Sequence, residues 1–188
     1  MRESSTAARK ERRVLRRRSW PVMSWGAIVL LWALYLVVLL AALAREDYRN
    51  GLLLASTTAA IMFVLRRVGS CRVVLLEGFM LVENPVMRYR IPYEAAHKAH
   101  STPAGGLEIE TSQGATVSCF AFGGSLIDVA FKTSERAAAE IQERITADHP
   151  GSTKGKFDLA RSFRYCPSAD IPLLLAALLA LAAMTTTR

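Results

Sequence analysis

The chain has 188 residues, 52% of them hydrophobic, with a formal charge of +8. That is enough for one modest folded domain and a few long apolar helices. The charge does not form a nucleic-acid-binding face: residues 1–18 carry eight basic against two acidic side chains, whereas Val68–Asp170 holds eleven basic against twelve acidic.

The basic tail, 1–18, leads into an uncharged block from Ser19 to Ala44. Its 26 residues, at about 1.5 Å each, exceed the roughly 30 Å hydrocarbon core, and the block reads as a transmembrane helix. Trp20 and Trp25 lie near its start, where amphipathic rings favour the headgroup level. A cleaved signal peptide ending at Ala42-Leu43-Ala44 is the competing reading, disfavoured because the block is too long and a second one follows. Arg16-Arg17-Arg18 is only a weak twin-arginine resemblance.

A polar turn, Arg45–Asn50, separates this block from a shorter one, Gly51–Leu65, closed by Arg66 and Arg67. Such a helix spans if its flanking arginines snorkel toward the interface. Gly51, Ala55 and Ala59 recur every four residues as a helix-packing face. Ser56, Thr57 and Thr58 can bond backbone carbonyls or a neighbouring helix. Residues 19–67 are therefore expected to form an antiparallel hairpin.

Residues 68–149 change to short β-type runs. Arg72–Leu76 ends at Glu77-Gly78, where glycine can supply a positive φ. Phe79–Val82 follows and breaks at Asn84-Pro85. Along Val86–Pro92, Val86, Arg88 and Arg90 share one face and Met87, Tyr89 and Ile91 the other. Glu94–His100 reads as a polar connection, Leu107–Glu110 as an alternating strand, and Ala115–Phe122 as its return. A helix then opens near Thr133 or Ser134, with Ala137, Ile141 and Ile145 on one stripe. The pattern predicts an α+β membrane protein whose curved antiparallel sheet or barrel is capped by a helix.

A linker, 150–170, precedes the third apolar block, Ile171–Met184. Through Thr187 it offers 17 uncharged residues, about 25 Å of helix, and Pro172 suits a first turn. Residues 171–187 read as a third transmembrane helix, with an interfacial or re-entrant helix as the alternative. The distribution of Lys and Arg places the N-terminus and the β-domain in the cytoplasm of a multi-pass inner (plasma) membrane protein.

Chemistry leaves few marks. His97 and His100 lack a third ligand, so no metal is expected. There is no nucleophile elbow, P-loop or dinucleotide fingerprint, hence no expected cofactor and no enzyme. Cys71, Cys119 and Cys166 are too scattered for a disulfide framework and read as small buried hydrophobes. The apolar blocks contain no ionisable residue, which argues against an ion pathway. Arg72, Arg88, Tyr89 and Arg90 form the candidate binding surface. Their basic face could hold phosphate oxygens, or simply face an acidic neighbour such as Glu108 or Glu110.

The order of Glu77-Gly-Phe, Val82-Glu-Asn-Pro, Arg88-x-Arg-Ile-Pro-Tyr-Glu, Ala121-Phe, Gly123-Gly-Ser and a capped helix resembles a bacterial pleckstrin-homology-like domain. The likeness covers about residues 70–147 and is similar in particular to the small membrane-attached type common in actinobacteria. It implies a non-catalytic binding or scaffold module that meets a protein partner, or second, lipid headgroups. A copy of itself is one such partner, through exposed strand edges. The alternative is a structural subunit of a larger transport or envelope complex, joined through the small-residue helix faces, which include Ala176 and Ala180.

Overall fold

The computed structural model describes residues 13–16, 19–123, 132–148 and 159–185, without the side chains of 19–21, 43 and 148. The ring of Trp20, Gly124-Ser125 and His149 lie outside the description. In chain order the elements are β1 (Arg13–Leu15), α1 (Ser19–Ala44), α2 (Tyr48–Gly69), β2 (Arg72–Leu75), β3 (Phe79–Glu83), β4 (Met87–Pro92), β5 (Ala96–Ser101), β6 (Leu107–Thr111), β7 (Thr116–Cys119), α3 (Thr133–Asp148), β8 (Ala160–Phe163) and α4 (Pro167–Thr185). Single 3-10 turns occupy Tyr93–Ala95 and Phe120–Phe122. The chain divides into a helical unit (18–70 with 165–188) and a β-rich unit (1–17 with 71–164).

In the helical unit, α1, α2 and α4 are each long and apolar enough to cross a membrane. The second and third are longer than their apolar blocks suggest. Asp47 caps α2, accepting from the Asn50 backbone N–H at 3.4 Å and from its side-chain amide at 2.6 Å. The polar turn thus shrinks to Arg45–Asp47, and α2 runs on through Arg66 and Arg67 for 22 residues, about 33 Å. α4 likewise starts at Pro167, because the Asp170 carboxylate accepts the Cys166 N–H at 3.0 Å. Pro167 takes the first-turn place expected of Pro172, which instead lies one turn inside the helix and has no N–H for the Ser168 carbonyl.

Contacts on α2 make it antiparallel to both other helices. Ser24 Oγ donates to the Leu65 carbonyl at 3.3 Å, and a Cβ at Gly51 would meet Ala42 at 3.7 Å. Toward α4, Ser56 Oγ donates to the Ala176 carbonyl at 2.8 Å, and Arg67 Nη2 lies 2.5 Å from Asp170 Oδ1. Thr57 instead bonds back to Leu53 O at 2.9 Å. Ala169, Ala176 and Ala183 are buried at seven-residue spacing, the repeat by which a helix returns one stripe to a neighbour.

The β-rich unit holds two antiparallel sheets, ordered β1-β2-β3-β4-β8 and β5-β6-β7. Gly78, at φ +73°, makes the β2–β3 turn. The core joins Val73, Leu75, Met80, Val82 and Ile91 of the first sheet with Leu107, Ile109, Val117 and Cys119 of the second. The stripe Ala137, Ile141 and Ile145 of α3 closes it, and all three cysteines are buried and none is in a disulfide. Ser134 does not cap α3; its hydroxyl donates to the Gly105 carbonyl. Three strands depart from expectation: β1 comes from the basic tail, β5 from the polar connection and β8 from the linker. Gln142 of α3 accepts the Ala99 N–H at 3.0 Å, so part of the β5 edge is covered.

β1 joins α1 through Arg16–Arg18, α2 joins β2 through Ser70 and Cys71, and β8 joins α4 through Arg164–Cys166. The strand registers put the end of β1, the start of β2 and the end of β8 at one end of the five-stranded sheet.

Candidate functional site

Strand alternation turns Met80 and Val82 into the core and leaves Phe79, Leu81 and Glu83 on the outer face of the sheet. Arg72 and Arg88 are the direct cross-strand neighbours of Glu83 on either side. Arg72 Nε donates to Glu83 Oε2 and Arg88 Nη2 to Oε1, both at 2.6 Å. Arg164, just past β8, sets Nη2 at 3.6 Å from Oε2 and donates from Nη1 to the Asn84 carbonyl at 3.2 Å. One carboxylate, 4% exposed, is therefore ringed by three guanidinium groups.

Burial alone would raise the Glu83 pKa. The hydrogen bond from Arg72, then the charges of Arg72, Arg164 and Arg88, outweigh it and hold the carboxyl below its ordinary value. The row carries a net charge of +2, and Arg72 and Arg88 keep about two fifths of their side-chain surface in solvent (36% and 41%). Its chemistry is that of a cross-strand clasp with spare N–H donors for an anion.

The expected binding surface divides in two. Arg72, Arg88 and Arg90 lie on the outer face, but the first two are held by Glu83, and Arg90 stacks 4.0 Å over the Phe79 ring. Tyr89 packs against the core on the other face, with the Arg161 guanidinium 5.9 Å from its ring centroid. The acidic neighbour of Arg88 is Glu83 and not Glu108 or Glu110, which flank His100 at 3.9 and 3.6 Å. Among the helix-packing residues, Gly51 and Ala59 are buried and Ala55 half-buried inside the helical unit.

Asn84 explains the Asn-Pro signal differently. Its side-chain amide donates to Ser118 O at 2.7 Å and its Oδ1 accepts from Phe120 N at 2.9 Å, bridging the two sheets. Sequence reading missed Glu83, Asn84 and Arg164 as partners, since only the registers bring 72, 83, 88 and 164 together. The alternation along Val86–Pro92 was the one available signal, because it faces Arg88 away from the core. Ile91, Tyr93, Ala121 and Phe122 of the remaining motifs are core residues. His97 is exposed, and among the described residues no three His, Cys, Asp or Glu side chains converge as metal ligands. Compared with protein-family models, curated proteins and solved structures, the chain finds no match.

Proposed function

We propose that this chain is a membrane-anchored, non-catalytic module of the pleckstrin-homology-like kind, presenting its β-rich unit on the cytoplasmic side to a protein partner. Lipid headgroups are the second class of ligand, reached through the spare donors of Arg72 and Arg88. The observation that carries the reading is the connectivity. Three helices of membrane-crossing length each join a strand of one sheet through only two or three residues. Antiparallel sheets in which β1 to β4 and β5 to β7 pair in chain order, with α3 closing the core and β8 added beside β4, support the pleckstrin-homology-like part. The arginine borders support the cytoplasmic placement.

The alternative, a subunit recruited through its helices, draws less support, because Gly51, Ala59 and Ala176 already pack within the chain. Surfaces left to it among the described residues include the outward apolar faces of α1, with Leu30, Leu34 and Val37, and of α4, with Leu174, Leu178 and Leu181.

Single cysteines at two exposed positions test the placement. Tyr48→Cys should react with an impermeant maleimide in intact cells, and Glu94→Cys only in inverted vesicles. The buried native thiols keep the background low. Labelling of Glu94→Cys in intact cells, or release of the chain by alkaline carbonate, would overturn the proposal.

A further inference from the structure

We infer that the outer edge of β2 is a strand-acceptor site for an extended peptide of a protein partner, and that β1 is its resident occupant in cis. The inference rests on the module reading and names the surface by which the module binds.

β2 has the make-up of an interior strand: Val73, Val74 and Leu75 are consecutive aliphatics, 0%, 2% and 0% exposed with β1 alongside. An edge strand of that character needs a neighbour, since its free N–H and C=O groups template further pairing. The neighbour present is three residues of basic tail, in the register Arg13↔Leu75, Val14↔Val74 and Leu15↔Val73. It is a meagre plug. Arg13 keeps 64% of its side chain in solvent and Val14 is 40% exposed, while Leu15 alone packs against the core.

The Arg13–Glu140 contact points the same way. Nε sits 2.6 Å from Glu140 Oε1, yet that oxygen is shielded from solvent and receives no hydrogen bond of proper direction. A buried acceptor of this kind has lost water without a full replacement.

The site therefore specifies its ligand. It takes an extended segment antiparallel to β2, with Arg or Lys opposite Leu75 aimed at Glu140. Two residues later an aliphatic side chain sits opposite Val73, in the seat of Leu15. Main-chain bonds supply affinity and those two side chains supply specificity. Covalent attachment gives the tail an effective concentration on the order of millimolar, so the resident strand blocks weak ligands and must leave before a partner docks.

The test uses the full chain in neutral detergent and a fluorescent peptide of residues 9–16. Leu15→Pro in the chain, opposite Val73 where β1 turns its N–H toward β2, removes a ladder donor and should tighten peptide binding about tenfold over wild type. Glu140→Arg added to that chain should weaken binding, and a peptide carrying Arg13→Glu should recover it. If Leu15→Pro exposes Cys119 to maleimide, a sign of misfolding, Leu15→Asn replaces it. Equal binding of a scrambled peptide, no gain on weakening β1, or no charge-swap recovery would each overturn the inference. So would co-purification of differently tagged copies that is lost on weakening β1, since the occupant would then be a second copy. Such a failure leaves the cysteine-labelling result intact, and with it the module reading through another surface.

Discussion

Glu83 shows how far one buried carboxylate organises this domain. Its ring of arginines ties β2, β3, β4 and the end of β8 together, so removing the charge strands three cations around a neutral group. Arg72 and Arg88 are partly solvated and Gln keeps one acceptor oxygen, so Glu83→Gln should destabilise the β-rich unit by about 1–3 kcal/mol. Cys119 is a suitable reporter. Its thiol is 2% exposed, and burial, helped by the charge of Glu108, pushes its pKa up and suppresses reaction in the folded state. Denaturant-dependent maleimide labelling of Cys119 then reads unfolding. The pH dependence has a definite sign. Because the Glu83 pKa is lowered on folding, its contribution is complete above the ordinary carboxylate value of about 4.3 and is lost as pH falls through the lower folded value. Wild type should lose stability on acidification through that window. Glu83→Gln, already lacking the term, should show a flatter acid limb. An unchanged midpoint in the variant would mean that the clasp does not hold the sheet.

The last turn of α2 plays the corresponding part among the helices. Arg66 lies 4.9 Å over the Trp25 ring of α1, while Arg67, 6% exposed, reaches Asp170 in the first turn of α4. Cation and anion each sit at the helix end whose dipole favours them. Asp170 also accepts the Cys166 N–H, so the same carboxylate starts α4 and fastens it to α2. Asp170→Asn should lose the ion pair but retain an acceptor for that N–H, whereas Asp170→Ala loses both. Maleimide labelling of the buried Cys166 should accelerate in that order. A charge-assisted hydrogen bond worth about 2 kcal/mol corresponds to roughly thirtyfold in local opening; equal rates in all three chains would refute the role. Arg67 and Asp170 lay just outside the uncharged blocks of the sequence, so composition marked them as borders and hid their pairing. Elements whose own residues supply the burial were legible: the three apolar helices, the alternation in Leu107–Glu110 and the α3 stripe. The bonds of Ser56 and Thr57 to backbone carbonyls were legible too. The strands β1, β5 and β8 were not. Arg13-Val-Leu, Ala-His-Lys-Ala-His-Ser and Ala-Arg-Ser-Phe carry little β-type patterning and are strands because a neighbour offers an edge.

At the scale of the whole molecule, the segment from β8 to the end of α4 takes part in both units by separate means. β8 pairs with β4 over Met87–Arg90, and the following Arg164 N–H donates to Val86 O at 2.9 Å. α4 is held by Asp170 and by the Ser56–Ala176 bond. Two independent attachments on one covalent piece act as a bivalent ligand, in which the second contact forms at high effective concentration once the first is made. The chain should therefore tolerate being made in two parts. Co-expressed fragments 1–152 and 153–188 should assemble in the membrane, and a tag on the shorter should recover the longer. Arg164→Ala weakens the β-rich attachment and Asp170→Ala the helical one. Either alone should leave a reduced but measurable recovery, and the pair should drop it far below the product of the single effects, because each attachment sustains the other. Loss with Asp170→Ala alone would place all the holding energy among the helices, with β8 merely following. Loss with Arg164→Ala alone would place it in the sheet. Only the intermediate result with both singles fits a sheet and a helical cluster that share the last 30 or so residues as a common strap.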